Sequence, residues 1–219
     1  MPEPRIVSLQ VGQPRQMGDA GWPELRTGPW VSAIIKEDAR GPRWLSATNL
    51  EGDRQGDPSV HGGHDKAILA YAAVHYPLWR AELGIEMPHG AFGENLTVTG
   101  LDEETVCIGD IYRIGEAVVQ VSQPRAPCWK IARRWGIKTL TARVDETGHT
   151  GWYNRVLTEG YIDAGQPITL LERPEPDWPV MRATRVMQNR RRDMPAATAL
   201  ARVATLNNGW KQALLSAGG

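Results

Sequence analysis

Glycine and proline recur along the whole chain and limit how long any regular element can be. The 219 residues include 23 Gly and 16 Pro. Glycine adopts backbone conformations that other residues avoid, and proline lacks a hydrogen-bond donor, so both favour turns. Their frequency predicts many short elements joined by turns rather than a few long helices.

Apolar residues follow a strand period in most segments between these turns. Val7, Leu9 and Val11 alternate with polar residues, which is typical of a half-buried strand. Residues 67–74 are continuously apolar, as in a strand buried on both faces, although the pattern also allows a helix. Further strands are predicted at residues 30–36, 43–47, 95–99, 106–114, 117–122, 152–156 and 167–172, with a tight turn at Gly115-Glu116.

Helices are predicted to be few and short within the first 172 residues. Pro77 and Gly84 delimit one, and residues 128–135 and 139–145 have helical character. A sheet with one apolar face must bury that face. Seven or eight short strands with few helices therefore predict a mainly β domain over residues 1–172, as a closed or nearly closed barrel.

The last part of the chain has a different pattern. Residues 173–178 are rich in proline and charge, which predicts a linker. Residues 179–219 contain three short helix-like stretches, each with one apolar stripe. A three-helix unit of this size has little stability of its own, so it is expected to pack on the barrel or on a partner.

Charge and hydropathy exclude several classes of function. Lys and Arg together equal Asp and Glu, 25 of each, so no global charge attracts nucleic acid or an anionic membrane. No apolar run is long enough to span a bilayer, and the N-terminus lacks a basic start followed by an apolar stretch. Two cysteines are too few for a disulfide framework. A cytoplasmic location is the expectation.

Cys128 lies in a stretch with an unusual charge. Residues 117–144 contain no acid and six bases, namely Arg125, Lys130, Arg133, Arg134, Lys138 and Arg143. Neighbouring cations favour a thiolate, which binds metals or attacks electrophiles. A solvated basic face with an inert cysteine remains the alternative. Cys107, in an apolar segment without nearby cations, is predicted to be a core residue.

Three glycine-containing segments are candidates for ligand contact. The first, residues 61–66, combines His61, Asp65 and Lys66 with paired glycines, which let a backbone approach a ligand closely. Residues 90–96 include Glu94 and Asn95, and residues 151–157 include Arg155 beside aromatic residues. Each could instead be a polar turn, a bulge or a packed corner. The histidine spacing does not indicate zinc, because no second cluster accompanies it.

These four segments, in this order, resemble the MOSC family, the molybdenum cofactor sulfurase C-terminal domain. The matching stretches are His61-Gly62-Gly63 with Asp65-Lys66, residues 90–96, residues 123–130, and Gly151-Trp152-Tyr153 with Arg155-Val156 and Glu159-Gly160. The resemblance covers most of residues 5–172. Residues from about 179 onwards resemble the three-helix extension of a stand-alone bacterial branch of that family.

The resemblance implies a barrel-like MOSC fold and a molybdenum–pterin cofactor, without pyridoxal phosphate. It implies that Cys128 ligates molybdenum and that the protein reductively dehydroxylates N-hydroxylated compounds such as 6-hydroxylaminopurine. Electrons would come from a separate flavin- or haem-containing protein. The residues predicted to act are Cys128, His61 and Asp65 in catalysis, and Lys66, Glu94, Asn95, Arg125, Lys130 and Arg155 in cofactor binding.

Three alternatives remain open from the sequence. The domain could carry the cofactor without catalysis, or Cys128 could be a nucleophile in sulfur transfer with His61 as its base. The basic surface could also be incidental to a structural protein. The oligomeric state is not fixed by the sequence, and a homodimer is compatible with it.

Overall fold

A curved, mostly antiparallel sheet forms the body of the protein. The computed structural model describes residues 2–18, 29–57 and 62–216. The strands are β1 (Arg5–Val11), β2 (Arg15–Met17), β3 (Trp30–Ser32), β4 (Glu37–Asp38), β5 (Arg43–Leu45), β6 (Ile68–Ala72), β7 (Leu96–Thr99), β8 (Ile111–Ile114), β9 (Ala117–Pro124), β10 (Trp152–Thr158), β11 (Gly160–Ile162) and β12 (Ile168–Glu172).

Six short helices accompany these strands in the described residues. They are α1 (His75–Leu83), α2 (Lys130–Trp135), α3 (Leu140–Thr147), α4 (Val180–Asn189), α5 (Met194–Ala201) and α6 (Asn208–Leu215). The prediction of a mainly β domain with few helices and a C-terminal helical unit is confirmed. No described helix is long and apolar enough to cross a membrane.

Eight strands form one ladder in the order β12-β8-β9-β10-β6-β7-β1-β4. All neighbours are antiparallel except β6 and β7. The predicted turn at Gly115 joins β8 to β9, and its φ of 56° is a conformation that favours glycine. The continuously apolar segment is confirmed as strand β6, in which all five residues are buried.

The sheet is not a closed barrel, so of the closed and nearly closed forms that the sequence pattern allowed, the structure excludes the first. The ladder has two ends, β12 and β4. The start of β12 approaches β1 at one corner, where Ile6 donates to the Gln166 carbonyl at 3.0 Å and Ile168 donates to the Pro4 carbonyl at 2.9 Å. Closure stops there because β4 pairs with residues 10 and 11 of β1. The sheet therefore curls around its core without a continuous ladder.

Two of the predicted strands have less than half of their predicted length in the structure. Residues 106–110 form a turn before β8, because the buried Asp110 carboxylate accepts the Cys107 backbone N–H at 2.9 Å. The run at residues 30–36 is a strand only as far as Ser32. Apolar character at these positions reflects burial rather than strand pairing.

The C-terminal helices share the core of the sheet. Val180, Leu200, Trp210 and Leu214 belong to the same buried cluster as Ile6 and the inward side chains of the long sheet. Residues 173–178, predicted as a linker, are held against the sheet. Arg173 forms an ion pair with Asp110 at 2.7 Å, and the Trp178 carbonyl accepts from Ile108 at 2.9 Å.

A stacked pair of histidines, of which His75 is buried, supports the start of β10. The His75 ring stacks on the His149 ring with centroids 3.8 Å apart, and His75 Nε2 lies 2.6 Å from a Glu103 oxygen. The other Glu103 oxygen accepts the Gly151 N–H at 2.7 Å, and the Gly151 carbonyl accepts from the Arg125 N–H at 3.0 Å. This chain of bonds fixes the backbone of Arg125.

Protonation of His149 is expected to make the free energy of unfolding pH dependent. Burial, and then the neighbouring His75, lower the pKa of His149 below its ordinary 6.5. Between that lowered pKa and 6.5 the unfolded chain binds a proton that the folded chain does not, so stability falls as pH decreases through this window. We expect His149→Gln to flatten the dependence of melting temperature on pH below 6.5. Calorimetry showing equal slopes for both proteins would contradict this.

Candidate functional site

A cleft open to solvent lies where the sheet meets the loops before β6, β7 and α2. The described residues that line it include one carboxylate, Asp53, and one thiol, Cys128. They also include five cationic side chains, namely Lys36, Arg54, Lys66, Arg125 and Lys130. In a chain of zero net charge this is a local excess of positive charge that attracts anions.

Cys128 sits between β9 and α2 with a fixed backbone. Its carbonyl accepts from the Thr141 hydroxyl at 3.1 Å and from the Ile131 N–H at 3.1 Å. The residue is half-buried and its thiol is free. Cys107 is the other free cysteine, and it is 3% exposed and packs 3.6 Å from the Pro176 carbonyl. Burial raises the pKa of Cys107, which agrees with the predicted core role.

Arg125 lines the cleft, and the described residues satisfy only part of its guanidinium. Its Nη2 donates to the Phe92 carbonyl at 2.6 Å, which fixes the guanidinium against the residue 90–96 loop. Its buried Nη1 has no hydrogen-bond partner in the described part of the chain. A buried guanidinium donor without a partner is costly, so an anionic ligand at this position would lower the free energy of the site.

Lys36 and Asp53 form a buried ion pair in the cleft that the sequence patterns did not indicate. Asp53 also accepts from the Gly12 N–H at 2.7 Å and from Asn95 Nδ2 at 2.9 Å. Burial lowers the pKa of Lys36, and the charge of Asp53 opposes that shift. The pair therefore supplies a positioned ammonium and carboxylate inside the cleft.

Asn95 was predicted to bind the cofactor, and it does line the cleft. Its amide is already engaged, because Nδ2 donates to Asp53 and Oδ1 accepts from the Leu69 N–H at 3.2 Å. Asn95 therefore positions Asp53. Lys66 and Lys130, also predicted to bind the cofactor, line the cleft, and burial lowers the pKa of Lys66.

Glu94 was also predicted to bind the cofactor, but it is not among the described lining residues. It is fully buried, and its oxygens accept from the Gly90 N–H at 2.7 Å, the Phe92 N–H at 3.1 Å and the Tyr76 hydroxyl. The carboxylate holds the glycine loop in shape. Glu94 acts on the cleft through that loop and not by direct contact.

Asp65 was predicted to act in proton transfer and Arg155 in cofactor binding. In the structure both side chains make other contacts. Arg155 Nε donates to Asp65 Oδ1 at 2.7 Å, and Arg155 Nη2 donates to the Thr205 carbonyl at 2.9 Å. Neither residue is among the described lining of the cleft. His61, the other predicted catalytic residue, lies outside the described residues.

The residues that sequence reasoning missed come from segments without a motif. Lys36 precedes β4, and Asp53 and Arg54 lie in the polar loop after β5. Nothing in their local spacing marks them, because they meet Cys128 only when β1 and β7 bring these loops together. The other four bases of the acid-free stretch, at residues 133, 134, 138 and 143, are not among the described residues that line the cleft.

The structure combines a mainly β fold with a thiol in a cationic cleft. The chain belongs to the MOSC domain family, whose model matches residues 57–169. The uncharacterized protein YflK of Bacillus subtilis (strain 168) is 41% identical over 210 residues, covering 96% of this chain and 92% of YflK.

Two further relatives extend this comparison. A protein named reductase from Gibberella moniliformis (strain M3125 / FGSC 7600) is 44% identical over 167 residues, covering 74% of this chain but only 30% of the reductase. The crystal structure of YiiM from Geobacillus stearothermophilus superposes with a TM-score of 0.82 at 34% identity, and the match covers 98% of both chains. The chain is therefore YiiM-like over nearly all of its residues.

Proposed function

We propose that this protein is a molybdenum-cofactor-dependent reductase that removes the hydroxyl group from N-hydroxylated compounds. The observation that carries the proposal is the Cys128 thiol in a cleft with five cations and one carboxylate among its described lining residues. The name of the Gibberella relative, reductase, supports redox chemistry as the class. The proposed partners are a small N-hydroxylated substrate and a separate flavin- or haem-containing electron donor, with no nucleic acid or membrane.

The residues of the cleft fit such a cofactor. Thiolate is a soft ligand of the kind that molybdenum accepts, and Cys128 supplies it. The pterin carries a phosphate, which matches the surrounding cations and the unpartnered donor Arg125 Nη1. In the proposal Cys128 holds the metal, and Arg125, Lys66 and Lys130 hold the phosphate.

The chain's own residues supply protons and orientation. The bound cofactor would supply a two-electron redox centre. Conversion of an N–OH group to N–H consumes two electrons and two protons, breaks the N–O bond and releases the hydroxyl as water. Lys36 holds a proton at Nζ within the cleft, and the Asp53 carboxylate keeps that ammonium in position. In this proposal Lys36 takes the proton-transfer role predicted for Asp65, because the Asp65 carboxylate is bonded to Arg155. His61 stays a candidate for the same role.

The proposal is tested by turnover and metal content together. The chain is produced in cells that make the pterin cofactor, its molybdenum is measured by elemental analysis, and 6-hydroxylaminopurine is supplied with a reduced viologen dye. We expect near-stoichiometric molybdenum and conversion to adenine. A chain from cells unable to make the cofactor is the control and should be inactive.

The alternatives give different results in the same experiment. A carrier would contain molybdenum and show no turnover at full loading. A thiol enzyme for sulfur transfer would work equally well without molybdenum, and its Cys128 would be alkylated rapidly in the metal-free chain. Either outcome would overturn the proposed reductase.

A further inference from the structure

The C-terminal helices reach the cleft through one hydrogen-bonded cluster, which we name the tail clamp: Asp65, Ser122, Arg155, Thr205 and Asn207. We propose that the tail clamp positions Lys66 for anion binding, so that the C-terminal helices are a working part of the site. The inference rests on the proposed function in one respect: both take the cleft to be the site of an anionic ligand.

Asp65 is the centre of the tail clamp. Its Oδ1 accepts from Arg155 Nε at 2.7 Å, and its Oδ2 accepts from Asn207 Nδ2 at 2.7 Å. Its carbonyl accepts from the Ser122 hydroxyl. Each oxygen of Asp65 is therefore bonded to a different segment: β10, the tail and β9. Hydrogen bonds to a carboxylate are stronger and more directional than neutral ones.

The tail contributes two residues to this cluster. Thr205 offers its carbonyl to Arg155 Nη2 at 2.9 Å, and the Asn207 N–H donates to the Ser122 carbonyl at 3.0 Å. Asn207 Oδ1 also accepts from the Trp210 N–H at 3.1 Å, which caps helix α6. The single side chain of Asn207 thus joins the last helix to Asp65, 142 residues earlier in the chain.

Lys66 directly follows Asp65 in the turn His64–Lys66. Of the residues in this turn, Lys66 lines the cleft. The turn begins at Gly63, whose φ of 92° favours glycine, and Lys66 donates its N–H to the Gly63 carbonyl at 3.0 Å. A short turn after a glycine has little rigidity of its own. The bonds to Asp65 fix the turn, and they thereby fix the point from which the Lys66 side chain enters the cleft.

Asn207→Ser separates this role from simple stability. Serine is as good an N-cap as asparagine, so helix α6 keeps its cap. The shorter hydroxyl loses the amide donor that reaches Asp65, and the charge of the site is unchanged. Asn208→Ser, at the exposed neighbouring residue, is the matched control.

The test is a double-mutant cycle with inorganic phosphate as the probe, measured by phosphorus NMR line broadening on the full chain. We expect Asn207→Ser to weaken phosphate binding about three- to tenfold, which lies within the range of coupling energies between residues of one hydrogen-bond network. Lys66→Ala should weaken it at least as much, and Asn207→Ser should have no further effect in the Lys66→Ala background. Asn208→Ser should bind phosphate as the wild type does.

Two results would overturn the inference. One is unchanged phosphate affinity in Asn207→Ser, and the other is an equal loss from Asn207→Ser with and without Lys66. Retention of the pterin, followed by its fluorescence after oxidation, gives a second readout and should fall in Asn207→Ser. A wild-type chain that binds phosphate but takes up no molybdenum would overturn the proposed function alone, since the phosphate cycle still decides the role of the tail.

Discussion

Cys128→Ala is expected to lower the molybdenum content of the purified chain by more than about tenfold and to abolish turnover. Loss of residues that only orient metal ligands typically costs ten- to a hundredfold in affinity, and loss of the ligand itself should cost more. Alanine leaves the fold intact because Cys128 is half-buried and its backbone bonds to Thr141 and Ile131 do not involve the thiol. Elemental analysis and the melting temperature are the two measurements.

Cys107→Ala is the matched control for this experiment. Cys107 is also a free thiol, but it is buried behind the Pro176 carbonyl and lies outside the described lining of the cleft. Burial raises its pKa, which disfavours the thiolate that a metal needs. Its molybdenum content should match that of the wild type. Full molybdenum content in Cys128→Ala would remove Cys128 from the metal site.

The sheet was predictable from the sequence because its strands leave a local pattern. Alternation identified β1, a continuous apolar run identified β6, and Gly115 marked the hairpin between β8 and β9. Barrel closure was not predictable from the sequence. It depends on which segments pair with each of the two edges of β1. That pairing is set by contacts between segments far apart in sequence, here residues 4–6 and 165–168.

The basic stretch around Cys128 predicted the charge of the cleft but not all of its cations. Arg125 and Lys130 line the cleft, whereas Arg134 donates to the Ile34 carbonyl at 2.6 Å and Arg143 pairs with Glu82 at 2.8 Å. The reason is helical geometry. Once residues 130–147 form two helices, neighbouring side chains in the sequence point to different faces.

The motif residues and the residues that line the cleft also differ for a physical reason. Arg155 and Asp65 have the charge and setting expected of ligand contacts, yet both hold the tail. A local sequence pattern indicates that a charged side chain has a specific role. It does not indicate which group that side chain contacts in the folded chain. Lys36 and Asp53 show the converse, since two residues without a motif form the buried ion pair of the cleft.

Asp53→Asn is expected to destabilise the fold by about 3–5 kcal/mol, the usual cost of breaking a buried ion pair by removing one partner. The side chains of Lys36 and Asp53 are only 6% and 2% exposed, so water does not replace the lost charge. The new amide has only one acceptor oxygen, so its NH2 group faces either the Gly12 N–H or Asn95 Nδ2, which both donate to Asp53. Urea unfolding gives the free energy, and a loss below about 1 kcal/mol would contradict the buried pair.

Lys36→Met in the Asp53→Asn background should recover part of this loss, because no buried charge then lacks a partner. The pH dependence separates charge from packing. Without Asp53 the pKa of Lys36 should fall further below its ordinary 10.5, since the charge of Asp53 raises it. The unfolded chain then binds the extra proton, so the stability deficit of Asp53→Asn should shrink as pH rises towards 10.5. The double variant, which lacks the ammonium, should show no such recovery. If both variants regained the same stability as pH rises, the loss of stability would come from packing and not from charge. Lys36 would then have no proton to donate in the cleft.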